Sequence, residues 1–104
     1  MESEARLAMI DGALPSPELQ YEIIDGNGEL RRVDFAWPEQ KLAVEYDGLD
    51  WHGNPDAMRN DRRRQAALND VGWTVMPIVF EDVRYRPRQF VARIDRHLSR
   101  GRAA

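Results

Sequence analysis

The chain has 104 residues and no cysteine, a length for one domain with a modest core and a composition that excludes disulfides and thiolate metal sites. No apolar run approaches the ~20 residues of a membrane span, and the opening MESEARLAMIDG has none of the features of a secretion signal. A soluble cytoplasmic protein with no membrane partner is therefore expected.

The net charge of −3 hides an asymmetry: residues 1–52 carry 4 basic and 12 acidic side chains, residues 53–104 carry 11 and 6. Fourteen of the 15 basic residues are Arg, whose planar fork suits phosphate. An acidic cluster beside a basic half is what a metal-dependent nuclease needs. Opposite charges pairing on a solvated surface would leave the same composition.

In chain order, SEARLAMIDGAL predicts a short helix, with Ser3 able to cap it and Gly12 able to end it. Pro15 and Pro17 impose an extended connection. QYEII and ELRRVDFAW flank Asp25-Gly26-Asn27-Gly28, a hairpin turn. KLAVEYD is a third strand, stopped at Gly48. NPDAMRNDRRRQAALNDVG is the main helix, with Asn54 at its cap, Pro55 at its first position and Gly72 past its end. WTVMPIV is a fourth strand whose Pro77 places it at an edge or bulge. RPRQFVARIDRHLSR is a closing helix with Phe90, Val91, Ile94 and Leu98 in one stripe. The order α-β-β-β-α-β-α predicts an α/β fold, a mixed sheet flanked by helices. The third and fourth strands should be parallel neighbours.

Three acids interrupt the best strands. If residues 38–41 form the loop, Trp37 faces Leu42, Asp34 faces Glu45 and Arg32 faces Asp47. Two carboxylates facing each other repel, and a hard divalent cation between them removes the conflict. Asp47 has a second reading as the cross-strand partner of Arg32. Glu45 has no obvious cation beside it in sequence, and apolar Val33 and Phe35 flank Asp34. On the main helix Ala57, Asp61, Arg64, Leu68 and Val71 share a face, so its apolar end should pack on the sheet and its polar end should lie near the acids. Arg62, Arg63 and Arg64 would then reach phosphate, or form a solvated face. Arg84, Arg86, Arg88, Arg93, Arg96, Arg100 and Arg102 form a second basic surface suited to backbone binding without sequence preference.

Taken together, R-x-D-F-A-W-P ending at Pro38, A-V-E-Y-D-G, W-H-G, D-R-R-R and G-W-T-V resemble the restriction-endonuclease-like (PD-(D/E)xK) superfamily. The branch they resemble is that of the very short patch repair endonucleases, and within it the domain of unknown function 559 family. The resemblance covers nearly the whole chain and implies a single restriction-endonuclease-like domain over residues 1–104. It implies a Mg²⁺-dependent, or Mn²⁺-dependent, DNA endonuclease or nickase, with Asp34 and Glu45 as metal ligands. Asp47 stands where the superfamily carries Lys and would serve as ligand or base. Glu4 matches an acid that helps hold metal or water in relatives, or is an ordinary exposed helix Glu. His52, in a loop, is a candidate base or phosphate ligand, or a plain loop His. Gln20 matches a polar site residue at the start of the first strand. Arg32 joins the Arg62–Arg64 run as a candidate nucleic-acid contact. DNA is the implied partner, reached as a homodimer or through a separate DNA-binding domain. With no cysteine, the structural zinc of the short-patch enzymes is not expected. The missing Lys leaves a second reading, an inactive nucleic-acid-binding or effector module on the same fold.

Overall fold

Local signals set the elements of the computed structural model, which describes residues 2–46 and 55–103, with side-chain environments over 3–46 and 55–100. The first helix, α1 (Glu2–Asp11), already contains Ser3, so Ser3 does not cap it. Gly12 donates to the Ala8 carbonyl, and it is Ala13, at φ 59°, that makes the left-handed turn. Gly12 is needed for a different reason: a Cβ there would run into Cγ1 of Val91 on the closing helix.

Strands β1 (Glu18–Ile24) and β2 (Leu30–Trp37) pair antiparallel from Ile24 against Leu30 to Glu18 against Ala36. Their connection is one residue longer than the predicted turn, running from Asp25 to Glu29, because Asp25 organises it from inside. The buried Asp25 carboxylate accepts the Asn27 N–H (2.8 Å), the Glu29 N–H (3.0 Å) and Nε of Arg31 (2.9 Å). Gly26 then donates to the Ala67 carbonyl at 3.0 Å, tying the turn to the main helix.

The Arg31 hydrogen bond above all, opposed by burial and assisted by the two backbone donors, holds the Asp25 carboxyl below its ordinary pKa. A lowered folded pKa gives stability that is present above the unfolded value of about 4 and is lost as pH falls through the folded value. Wild type should therefore be more stable than Asp25→Asn at pH 7. The gap between their urea midpoints should shrink at pH 3, and a gap independent of pH would remove the ion pair from the account.

Strand β3 (Leu42–Tyr46) pairs antiparallel with β2 and sets Trp37 against Leu42, as expected. The main helix, α2 (Pro55–Asp70), ends in two hydrogen bonds that satisfy its last carbonyls: Trp73 N–H to Leu68 and Gly72 N–H to Asn69, with Gly72 at φ 90°. Strand β4 (Thr74–Ile78) runs parallel to β3, and the sheet order β1-β2-β3-β4 leaves it at an edge that tolerates Pro77. Two helices follow where one was predicted, α3 (Phe80–Tyr85) and α4 (Pro87–Ala103). A side-chain oxygen of Asp82 accepts the Val79 N–H at 3.2 Å and starts the extra turn; Pro87 begins the next helix.

Two apolar clusters hold the layers together. Ala5 and Met9 of α1, Val83 of α3, and Phe90, Ile94 and Leu98 of α4 meet Phe35, Trp37, Leu42, Val44, Met76 and Ile78. Leu68 of α2 meets Ile23, Val33, Ala36, Ala43 and Trp73. Val33 and Phe35 are two residues apart yet belong to different clusters, so the regular alternation of β2 breaks at Asp34.

Candidate active site

The break at Asp34 has a counterpart on β1. Gln20, which the flanking pairs Leu19–Phe35 and Tyr21–Val33 would set opposite Asp34, is missing from the ladder and has a left-handed φ of 49°. A non-glycine residue held there stores on the order of 1 kcal/mol, and such strain tends to collect at functional positions.

On its other side Asp34 meets β3. The β2–β3 ladder runs from Trp37–Leu42 to Phe35–Val44 and stops one step before Asp34 and Glu45. Oδ2 of Asp34 accepts the Tyr46 N–H at 2.8 Å, so a carboxylate continues the pairing where the backbone ceases to. The Asp34 side chain is thereby fixed to β3 through main chain, the most rigid partner available.

The cation that Glu45 lacks in the sequence comes from α2. Arg64 lies four residues before the buried Leu68, on the sheet-facing side, and its guanidinium forks Glu45. Nη1 donates to Oε2 at 2.7 Å, Nη2 donates to Oε1, and Nη2 also donates to the Arg32 carbonyl at 2.8 Å. Both side chains of the pair are only 19% exposed, which makes the fork worth more than a surface ion pair. The Glu45 hydrogen bonds foremost, then the charges of Glu45, Asp61 and Asp34, raise the Arg64 pKa above its already high ordinary value against the pull of desolvation. A positive charge is thus held against Glu45, near enough to Asp34 to be influenced by its charge as well.

The structure does not bring all the other predicted residues to this site; α1, which carries Glu4, packs with α3 and α4 in a different cluster from α2. Arg62 and Arg63 are exposed on α2 beside Arg64. Arg32 offers the site its carbonyl, while its guanidinium extends toward Glu22 at 3.7 Å. Glu4 pairs with Arg84 at 3.0 Å where α1 meets α3, and the Arg84 guanidinium lies 5.3 Å from the centre of the Phe80 ring. Among the described residues, no three His, Cys, Asp or Glu side chains gather as a ready metal group. Asp47 and His52 lie outside the described residues. On α4, burial first and the charges of Arg100, Arg93 and Arg96 next hold His97 below its ordinary pKa. None of the described helices is long and apolar enough to cross a membrane.

Three features of the site were missed from the residues alone: the Tyr46 N–H, the Arg32 carbonyl and the left-handed Gln20. All are backbone properties. The Arg64–Glu45 contact did leave a trace, because Arg64 is the member of the Arg62–Arg64 run that shares a face with Leu68 and Val71.

The sheet, its helices and their order make this an α/β restriction-endonuclease-like (PD-(D/E)xK-like) fold. The catalytic domain of the homing endonuclease I-Bth0305I superimposes with a TM-score of 0.71 at 17% identity, over 96% of this chain and 94% of that one. Residues 20–98 match the family model REase_MTES_1575, and the chain belongs to that family. Two uncharacterized proteins of Mycobacterium tuberculosis, Rv2248 of strain H37Rv and MT2308 of strain CDC 1551, are each 56% identical to it over all 104 residues. The chain spans 38% of the length of each.

Proposed function

We propose that this chain is a divalent-metal-dependent endonuclease or nickase that hydrolyses phosphodiester bonds in DNA. In this reading residues 1–104 form one catalytic domain of the very-short-patch-repair-like branch, the domain of unknown function 559 family, working in the cytoplasm. The observation that carries the reading is the pair of carboxylates just past the end of the β2–β3 ladder, Asp34 on β2 fixed by the Tyr46 N–H and Glu45 on β3 forked by Arg64, with both charges acting on that guanidinium. Family membership and fold make phosphodiester chemistry the expected use of such a position, although fold alone does not decide it.

The donor set fits Mg²⁺ or Mn²⁺: hard carboxylate oxygens on two strands, with Asp34 locked by the Tyr46 N–H and positive charge already stabilised there. When bound, the ion supplies Lewis-acid charge to the phosphate and lowers the pKa of a water. Asp34 and Glu45 would hold it, with Asp47, two residues after Glu45 in the sequence, as a further ligand or base. Gln20 and the Arg32 carbonyl fix the strands around the pair. His52 accepts a proton or binds phosphate, and Glu4 helps to position water once released from Arg84. Arg62 and Arg63 neutralise the strand being cut, and the Arg residues of α4 bind the backbone farther along. One copy nicks, and a double-strand break requires a homodimer. The greater length of the two mycobacterial relatives motivates attachment to a separate DNA-binding segment.

The test is supercoiled plasmid with Mg²⁺ or Mn²⁺, wild type beside Asp34→Ala. Nicked circles from wild type and intact plasmid from the variant are expected. Intact plasmid in every lane, from folded protein that retards DNA, would overturn catalysis and leave a binding or effector module.

A further inference from the structure

We propose that Arg64 is the resident counter-cation of this site: a positioning residue that holds Glu45 when no metal is present and competes with the divalent ion for that carboxylate. The inference rests on the metal-dependent reading above.

The two Glu45 oxygens are the donors a hard cation would use, and Arg64 engages both from a planar fork. A divalent ion that takes Glu45 from the side the fork occupies, between its two oxygens, must displace at least one Arg64 N–H. The opposing bond is not a loose surface contact. Each partner is about four-fifths buried, and Arg64 has a third hydrogen bond, to the Arg32 carbonyl. That third bond matters for what happens next, because it does not involve Glu45. It keeps the guanidinium beside the site while the carboxylate turns to the ion, leaving a positive charge near the phosphate. A superfamily Lys two residues after the acid would point from the same strand, and here that position is Asp47. Arg64 reaches the pair from a different element, one turn before Leu68 is anchored in the core.

Competition has a sign that a purely structural role lacks. Removing a structural partner of a metal ligand disorders the ligand and weakens metal binding, whereas removing a competitor strengthens it. Mn²⁺ titrated calorimetrically into the full chain, without DNA and without turnover, reads the difference. Arg64→Ala and Arg64→Gln should bind Mn²⁺ about tenfold or more tightly than wild type, in the range set by a hydrogen-bonded charge. Arg64→Lys, a point charge without the fork, should fall between. Arg59→Ala removes one exposed positive charge from the same helix, paired with Asp56 at 3.8 Å, and should change affinity less than twofold. Circular dichroism selects the folded variants, and Arg64→Lys preserves the test if the neutral ones fail to fold. Equal or weaker Mn²⁺ binding by folded Arg64 variants overturns the competition while leaving the metal site standing. If neither wild type nor any variant binds Mn²⁺, the metal-dependent reading falls and this inference falls with it.

Discussion

Glu45→Ala is expected to lower plasmid nicking about a thousandfold and, separately, to destabilise the fold by about 2 kcal/mol. Both effects follow from one carboxylate with two partners. In the proposed reaction Glu45 would supply hard oxygen to the metal, which a methyl group could not replace. In the metal-free fold it compensates the Arg64 guanidinium, which is largely buried and, among the described residues, would keep only the Arg32 carbonyl as a hydrogen-bond partner, with the Asp61 and Asp34 charges farther off. The loss of stability arises less from a missing attraction than from a charge left short of partners.

Glu45→Gln separates the two roles. The amide oxygen still accepts from Arg64, so about half of the lost stability should return, as read from urea midpoints. Activity should stay low, because a neutral amide is a poor ligand for a divalent ion. Nicking by Glu45→Gln at the wild-type rate would remove Glu45 from the metal site and leave it as the partner of Arg64 only.

How much of this could be read from residues alone depends on which interactions are periodic. The pairing of Trp37 with Leu42 follows from strand alternation and one loop length without any tertiary information, and the ladder it starts runs to the step just before Asp34 and Glu45. The parallel β3–β4 pair follows from a helix long enough to cross between them, and Pro77 marks its own edge position. Features set by packing were not legible. Gly12 was expected to end α1, and the helix does stop just before it, but nothing in the sequence says that its missing side chain makes room for Val91 or that Ala13 takes the left-handed turn. Asp25 belonged to a predicted turn, yet nothing in the turn motif says that its carboxylate is buried beneath Arg31. The short helix α3 was missed because six residues are too few to show a period, leaving Asp82 as the local signal. At the site, charge pattern left Arg64 as a phosphate contact or part of a solvated face, and did not show that the fold also sets it against Glu45. Sequence supplies the face of a helix, but the strand it meets is a property of the assembled layers.

The core beneath the site provides the other large effect. Phe35→Ala should cost about 3–5 kcal/mol, a large part of the roughly 5–15 kcal/mol that holds such a domain folded. Phe35 is fully buried in the cluster where α1, α3 and α4 meet the sheet, so its loss leaves a cavity that several rigid elements would have to close. Phe35→Leu keeps most of the volume and should cost less than half as much. Leu30→Ala, at a side chain 58% exposed on the same strand, should stay within about 0.5 kcal/mol. The order of the three urea midpoints checks the packing, and a Phe35→Ala midpoint close to that of Leu30→Ala would contradict it. The consequence extends to the site because Phe35–Val44 is the last paired step before Asp34 and Glu45. Slack introduced there moves the two carboxylates relative to each other, so Phe35→Leu, although folded, should bind Mn²⁺ more weakly than wild type. Arg64→Ala should move the same quantity the opposite way, which distinguishes a residue that aligns the acids from one that occupies them.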